Sequence, residues 1–205
     1  MKKNNTEAPE KPRDLVYILA PSYTGLTLLT FLLSRHADIA TIGELKATAR
    51  GDIAICRCSC GLLQHECTFW KRVTQEMAKA GDPFALEDFG THFQADSFVC
   101  NCLLLAGVRG IVFEAMRNSM LRLSPHCRVR LHDILEQNRQ VIDVICNLQK
   151  CRVFLDGSKE PIRLKLLYLA NCWDLKVIYL IRDGRGATNS YMCHYNVSME
   201  TAARE

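Results

Sequence analysis

Three times in this chain, a short apolar run rich in strand-forming residues leads through a small or polar turn into a helical pattern. The first run is Leu15-Val-Tyr-Ile-Leu-Ala20. It is broken by Pro21-Ser-Tyr-Thr-Gly25 and followed by Leu26 to Arg35, with Leu28, Leu29, Leu32 and Leu33 on one stripe. The second is Arg152-Val-Phe-Leu155, followed by the turn Asp156-Gly-Ser-Lys-Glu-Pro161, whose proline suits the first position of a helix reaching Asn171. The third is Lys176 to Ile181, then Arg182-Asp-Gly-Arg-Gly186, then another helix. Continuous apolar runs suit strands covered on both faces. Strands that alternate with helices pair in parallel, because each crossover returns the chain to the same end of the sheet. The predicted fold class is α/β, a parallel sheet flanked by helices in three layers.

Between these units lies a more helical middle. Phe98 to Leu123 reads as two helices broken near Gly107 and Gly110. Asp133 to Gln149 carries apolar residues at helical spacing and predicts an amphipathic helix. At 205 residues the chain suits one domain, taken as residues 14–205 after a solvated tail over residues 1–13. That tail holds acids and prolines where a secretion signal needs an apolar core, and no apolar run reaches the roughly 18 residues a membrane-spanning helix requires. A cytoplasmic location is expected. A formal charge of +4 is too mild for a nucleic-acid binder but suits an anionic small ligand in a cleft. The basic stretch Arg117 to Arg130 reads as a solvated face.

In a parallel α/β sheet, ligands bind beyond the carboxyl ends of the strands, where all three turns lie. They carry Thr24, Gly25 and Thr27 in the first, Ser158 and Lys159 in the second, and Arg182 and Arg185 in the third. Free N–H groups at helix starts, hydroxyls and cations together make an anion site. The first turn invites comparison with the phosphate loop Gly-x-x-x-x-Gly-Lys-[Ser/Thr]. Ala20 replaces the first glycine, Gly25 keeps the second, Leu26 takes the place of the lysine and Thr27 remains. Losing the lysine removes the charge that reaches the β- and γ-phosphates, which disfavours a nucleotide triphosphatase and leaves a phosphate cradle.

These residues also carry a family resemblance. Ser22-Tyr-Thr-Gly-Leu-Thr-Leu-Leu29 resembles the 5′-phosphosulfate loop of sulfotransferases that use 3′-phosphoadenosine 5′-phosphosulfate (PAPS). Ile181-Arg-Asp-Gly-Arg-Gly-Ala-Thr-Asn-Ser190 resembles their 3′-phosphate motif, an arginine followed eight residues later by a serine. Asp156 to Pro161 resembles the segment that supplies a lysine near the transferring group. Ile42-Gly-Glu-Leu45 sits where several families, tyrosylprotein sulfotransferases among them, carry a catalytic glutamate. The four matches follow the family order and span residues 15–191. The resemblance is to bacterial-type members, and it implies a P-loop-like fold and transfer of a sulfuryl group from PAPS to an acceptor hydroxyl.

On that resemblance, Tyr23, Thr24, Gly25, Leu26, Thr27 and Leu28 would hold the 5′ side, and Arg182 and Ser190 the 3′-phosphate. Lys159 would stabilise the departing phosphate and Glu44 would take the acceptor's proton. No metal is required. Tyr23 stands where the family usually has arginine or lysine, leaving its hydroxyl as donor, and Leu26 replaces a serine or threonine. Glu205 falls where family members usually continue, so a C-terminally truncated or short member is expected. The acceptor class stays open among carbohydrate, peptide tyrosine, lipid and small alcohol. An inactive nucleotide-binding or interaction module of the same fold is the rival class, and a nucleotide kinase the rival enzyme.

Eleven cysteines include Cys56, Cys58, Cys60 and Cys67, with His65 among them. Their spacing lacks the paired Cys-x-x-Cys knuckles of common zinc sites. Free thiols, a local disulfide and a bound metal all remain open, and the segment is expected to be independent of metal.

Overall fold

The apolar run Leu15–Ile18 becomes the centre of a sheet. β1 (Asp14–Leu19) pairs in parallel with β3 (Val153–Lys159) on one side and with β4 (Asp174–Tyr179) on the other. The short β2 (Ile39–Ala40) adds beyond β3, giving the all-parallel order β2-β3-β1-β4. The computed structural model describes residues 12–46, 56–82, 84–95, 97–105 and 107–204.

Alternation along β1 serves two cores. Leu15, Tyr17 and Phe154 face the larger one, with Val73 and Met77 of α2 (Thr68–Ala80), Val141, Ile142 and Ile145 of α5 (Pro125–Gln149), and Leu166 and Leu167 of α6 (Pro161–Ala170). Val16, Ile18, Leu155 and Ile178 face the other, with Leu26, Leu29 and Leu33 of α1 (Leu26–Leu33). Burial on both faces is why the strand reads as an unbroken apolar run. The middle of the chain forms α3 (Phe98–Leu104) and α4 (Ile111–Leu123), separated at the two glycines as predicted.

Topology places the site. The chain leaves β1 through α1 towards β2 and leaves β3 through α6 towards β4, in opposite directions across the sheet. Right-handed crossovers in opposite directions put their helices on opposite faces, as α1 and α6 are. Where such connections diverge, a crevice opens between the carboxyl ends of the two strands. Here it lies between Leu19 and Lys159.

Several boundaries differ from the predicted ones. β3 runs on through Asp156-Gly-Ser-Lys159, the segment expected as a turn, and bulges there because Tyr17 pairs with Asp156 while Leu19 pairs with Lys159. Asp156 and Ser158 look like turn residues but are fully buried, with Ser158 Oγ donating to Asp156 Oδ1 at 2.5 Å. β4 ends at Tyr179, two residues early. α5 starts at Pro125 rather than Asp133, because Ser124 caps it by accepting from Cys127 N–H. Arg117 is buried rather than solvated; it donates to the carbonyls of Leu103 at 2.5 Å and Val108 at 3.0 Å and pairs with Glu114. Arg13, assigned to the tail, is tied to Asp143 of α5 at 2.7 Å, and residues 1–11 of that tail lie outside the described residues. No helix among the described residues is long and apolar enough to cross a membrane.

Candidate functional site

The loop after β1 is tight. Tyr23 has φ 62° and Gly25 φ 91°, and the Thr24 hydroxyl donates to the Pro21 carbonyl at 2.9 Å. Glycine tolerates the left-handed region freely, whereas Tyr23 occupies it at some cost and needs surrounding contacts to stay there. Gly25 is the N-cap of α1, and no side chain caps that helix. The N–H groups of Leu26, Thr27 and Leu28 therefore form the positive end of the helix beside the crevice. Leu26 turns its side chain into the small core with Ile18, Ala20 and Leu155, so it offers only its amide. Thr27 and Leu28 are exposed.

Contacts that hold Tyr23 come from α7 (Gly184–Tyr195) and the turn before it. Its ring packs against Tyr191, His194 and Tyr195 at centroid distances of 5.3, 5.6 and 6.2 Å. Lost hydration and the Tyr195 hydroxyl push the Tyr23 phenol up to about 12. The Tyr23 ring thus lies against α7, beside Tyr195.

Arg182 crosses this junction. Its Nη1 donates to the Tyr23 carbonyl at 3.0 Å and to Ser190 Oγ at 3.1 Å, while Ser190 Oγ donates to the Gly186 carbonyl at 3.0 Å. A Cβ on Gly186 would fall 2.9 Å from Arg182 Nε, so the guanidinium lies over the first turn of α7 only because that position is glycine. Asp183 caps α7 by accepting from Arg185 N–H at 2.8 Å and pairs with the Arg185 guanidinium at 2.9 Å. That guanidinium, with the backbone N–H, holds the Asp183 carboxyl below its usual range. Arg185 is thereby committed to Asp183, leaving Arg182 as the cation aimed at the loop.

Across the crevice, Lys159 Nζ stands 3.0 Å from Glu44 Oε1, both side chains being partly exposed. Segment 41–46 is laced to β3. Thr41 Oγ1 donates to the Leu155 carbonyl at 2.7 Å, Gly157 N–H to the Gly43 carbonyl at 2.8 Å, and Lys46 N–H to Ser158 Oγ at 2.9 Å. Leu45 N–H reaches Asp156 Oδ1 at 3.2 Å. Behind this lacing, Arg163 pairs with Asp156 at 3.0 Å and donates to the Thr91 carbonyl at 2.8 Å and Asn138 Oδ1 at 2.5 Å, all buried. Such a network is rigid when every member is satisfied. Ser158 belongs to it and is closed to ligand.

Glu44 and Thr27 both line a cavity of about 610 Å³ whose walls include Phe31, Gln64, Phe69 and Trp70. Arg182 and Ser190 are not among its walls. The arrangement combines an anion shelf, a carboxylate–ammonium pair and an apolar recess that reaches the carboxylate. The structure brings Tyr23, Gly25, Arg182 and Ser190 together, and Glu44 with Lys159. The Thr24 hydroxyl is occupied within its own loop. Sequence reasoning missed Gly186, Gly157 and the Asp156–Arg163–Asn138 network. Gly186 had a signal in its place four residues after Arg182, whereas Asn138 and Arg163 sit inside helical patterns that disclose no partner. Comparison with family models, with curated proteins and with solved structures finds no significant match.

Proposed function

We propose that this chain is a PAPS-dependent sulfotransferase of P-loop-like topology. The observation that carries the reading is the convergence at Arg182, which meets Ser190 at 3.1 Å and the Tyr23 carbonyl at 3.0 Å. Two segments that resemble separate PAPS motifs, far apart in the chain, thereby share one guanidinium. Arginine presents a planar fork to phosphate oxygens, and the Ser190 hydroxyl, turned from the Gly186 carbonyl it donates to at 3.0 Å, would complete the shell of a 3′-phosphate. The amides of Gly25 to Leu28 and the exposed Thr27 hydroxyl receive the 5′ side at the start of α1.

PAPS supplies an activated sulfuryl group, whose bond to the 5′-phosphate oxygen breaks as the acceptor oxygen bonds to sulfur. Glu44 takes the acceptor's proton from a hydroxyl seated in the cavity. Lys159 stabilises the charge that collects on the departing phosphate oxygen, so 3′,5′-ADP leaves with the electron pair. The Glu44–Lys159 pair at 3.0 Å holds both groups at the crevice, and in-line transfer has them part, Glu44 to the entering oxygen and Lys159 to the leaving one. Acceptors with an apolar body and a hydroxyl suit the walls formed by Phe31, Phe69 and Trp70. A nucleotide kinase is disfavoured because buried Leu26 stands where a phosphate-reaching lysine would be.

Calorimetry with 3′,5′-ADP and 5′-AMP tests the reading. Binding of 3′,5′-ADP at least tenfold tighter than 5′-AMP is the expected result. Equal affinity for the two overturns it.

A further inference from the structure

The cysteine-rich segment lines the same cavity as Glu44 but supplies none of the groups assigned to transfer. Arg57 and Leu63 form an antiparallel bridge, Gln64 N–H donates to the Cys56 carbonyl at 2.8 Å, and Cys58 N–H donates to the Leu62 carbonyl at 2.8 Å. Gly61, at φ 89°, closes the hairpin by donating to the Cys58 carbonyl at 2.9 Å. Cys67 follows as the N-cap of α2, its N–H held by the Leu63 carbonyl at 3.0 Å. A hairpin tip and a helix start thus converge. Cys67 Sγ lies 3.5 Å from Cys58 Sγ and 3.6 Å from Cys60 Sγ, and all three sulfurs fall within 4.8 Å of one another.

Those separations discriminate between chemistries. Sulfurs on a tetrahedral zinc, with bonds of about 2.3 Å, stand roughly 3.8 Å apart. A disulfide draws two sulfurs to about 2.05 Å and leaves the third without a role. A second observation comes from Gln64. It is 4% exposed and lines the cavity that the three cysteines also line, and its Nε2 makes no hydrogen bond. That N–H group is a donor and calls for an acceptor, which a thiolate sulfur or a water held on a cation would supply.

We propose that Cys58, Cys60 and Cys67 form a three-thiolate site for a zinc-like divalent cation, with the fourth coordination position facing the cavity and Gln64 beside it. Binding exchanges three S–H bonds for three metal–sulfur bonds and releases three protons to solvent, with no change of oxidation state. Two positive charges against three thiolates leave one negative charge, so the fourth position suits a neutral donor such as water or the Gln64 carbonyl oxygen. Spacing and resemblance led to an expectation of metal-independence, and the proposal departs from it because the sulfurs converge from a hairpin and a helix cap rather than from two knuckles. The site stands independently of the nucleotide reading.

The test uses the full chain, reduced and metal-free, titrated with cobalt(II) and then zinc(II). The expected result is saturation at one equivalent, with thiolate-to-cobalt charge transfer and the strong visible bands of a tetrahedral centre, all displaced by zinc. In parallel, iodoacetamide labelling mapped by mass spectrometry should show zinc shielding Cys58, Cys60 and Cys67 while the exposed Cys172 and Cys193 still react. Cys60→Ser, at an exposed position, should abolish the cobalt spectrum, and Cys172→Ser should keep it. The labelling of the unmodified chain carries the test even if Cys60→Ser folds poorly. Equal labelling of the three thiols with and without zinc, or a reduced chain that gives no tetrahedral cobalt spectrum, overturns the proposal.

Discussion

The amide of Gly157 donates to the carbonyl of Gly43 at 2.8 Å, and a Cβ on Gly157 would meet that same oxygen at 3.2 Å and Thr30 Oγ1 at 3.3 Å. Glu44 follows directly from Gly43, so this close approach of two backbones sets the carboxylate beside Lys159. It also explains the glycine inside a strand, a position that otherwise weakens β-structure.

Gly157→Ala should push segment 41–46 away from β3. Overpacking of this kind costs about 1–3 kcal/mol, read as a lowered midpoint in urea denaturation. Transfer should fall further than 3′,5′-ADP affinity, because the displaced carboxylate belongs to the acceptor side. A variant with full stability and unchanged turnover would show that the contact does not position Glu44.

Arg182→Ala should weaken 3′,5′-ADP by about 1.5–3 kcal/mol, the range for hydrogen bonds to charged groups, and leave 5′-AMP nearly unaffected. Ser190→Ala should cost less. A double-mutant cycle between them should show coupling, because Arg182 Nη1 already donates to Ser190 Oγ at 3.1 Å. Strict additivity would mean that the two residues do not share the phosphate.

Gly186→Ala separates binding from folding. Inside α7, alanine is the better helix former by about 1 kcal/mol, so thermal stability should hold or rise. Its methyl group would displace the Arg182 guanidinium, which lies 2.9 Å from that point, and 3′,5′-ADP affinity should drop while stability does not. Calorimetry beside a melting curve reads both effects from one variant.

Glu44→Gln keeps shape and removes the proton acceptor. Transfer should fall by about 10²–10⁴-fold, the usual worth of a general base, with 3′,5′-ADP affinity unchanged or slightly tighter. Loss of nucleotide affinity with intact turnover per bound PAPS would make Glu44 structural and direct attention to His194.

Arg163→Leu should be among the most destabilising single changes. It strands the Asp156 carboxylate, the Thr91 carbonyl and Asn138 Oδ1 in the core. Removing one partner of a buried ion pair costs about 3–5 kcal/mol, measurable by denaturant titration. Arg163→Leu combined with Asp156→Leu should recover part of that loss, because no buried charge is then left alone.

Much of the architecture was legible in local pattern. Leu15–Ala20 is apolar at every position because both of its faces are covered, and Pro161 and Asn171 bound α6 as the sequence suggested. Phe98–Leu123 divides at its glycines for the same local reason. The placement of Arg182 and Ser190 in one turn and the helix after it was equally readable, since their contact spans only eight residues.

Other features were not local. Asp156 and Ser158 carry the composition of a turn, and their long-range partners Leu45 and Lys46, with Arg163 of α6, make them strand residues in a buried network. The sequence marked the cysteine cluster, but which of its sulfurs meet was not local, because Gly61 and the start of α2 decide it. The sequence by itself determined the three longer strands, the helices that follow them and the sheet end at which the three turns lie, since hydrophobic periodicity and turn chemistry act over a few neighbouring residues. The tertiary structure alone decided which polar groups are satisfied inside, which remain available at the crevice and which glycines bear a close approach. Those outcomes depend on partners distant in the chain, and burial makes an unpaired polar group costly enough to select among them.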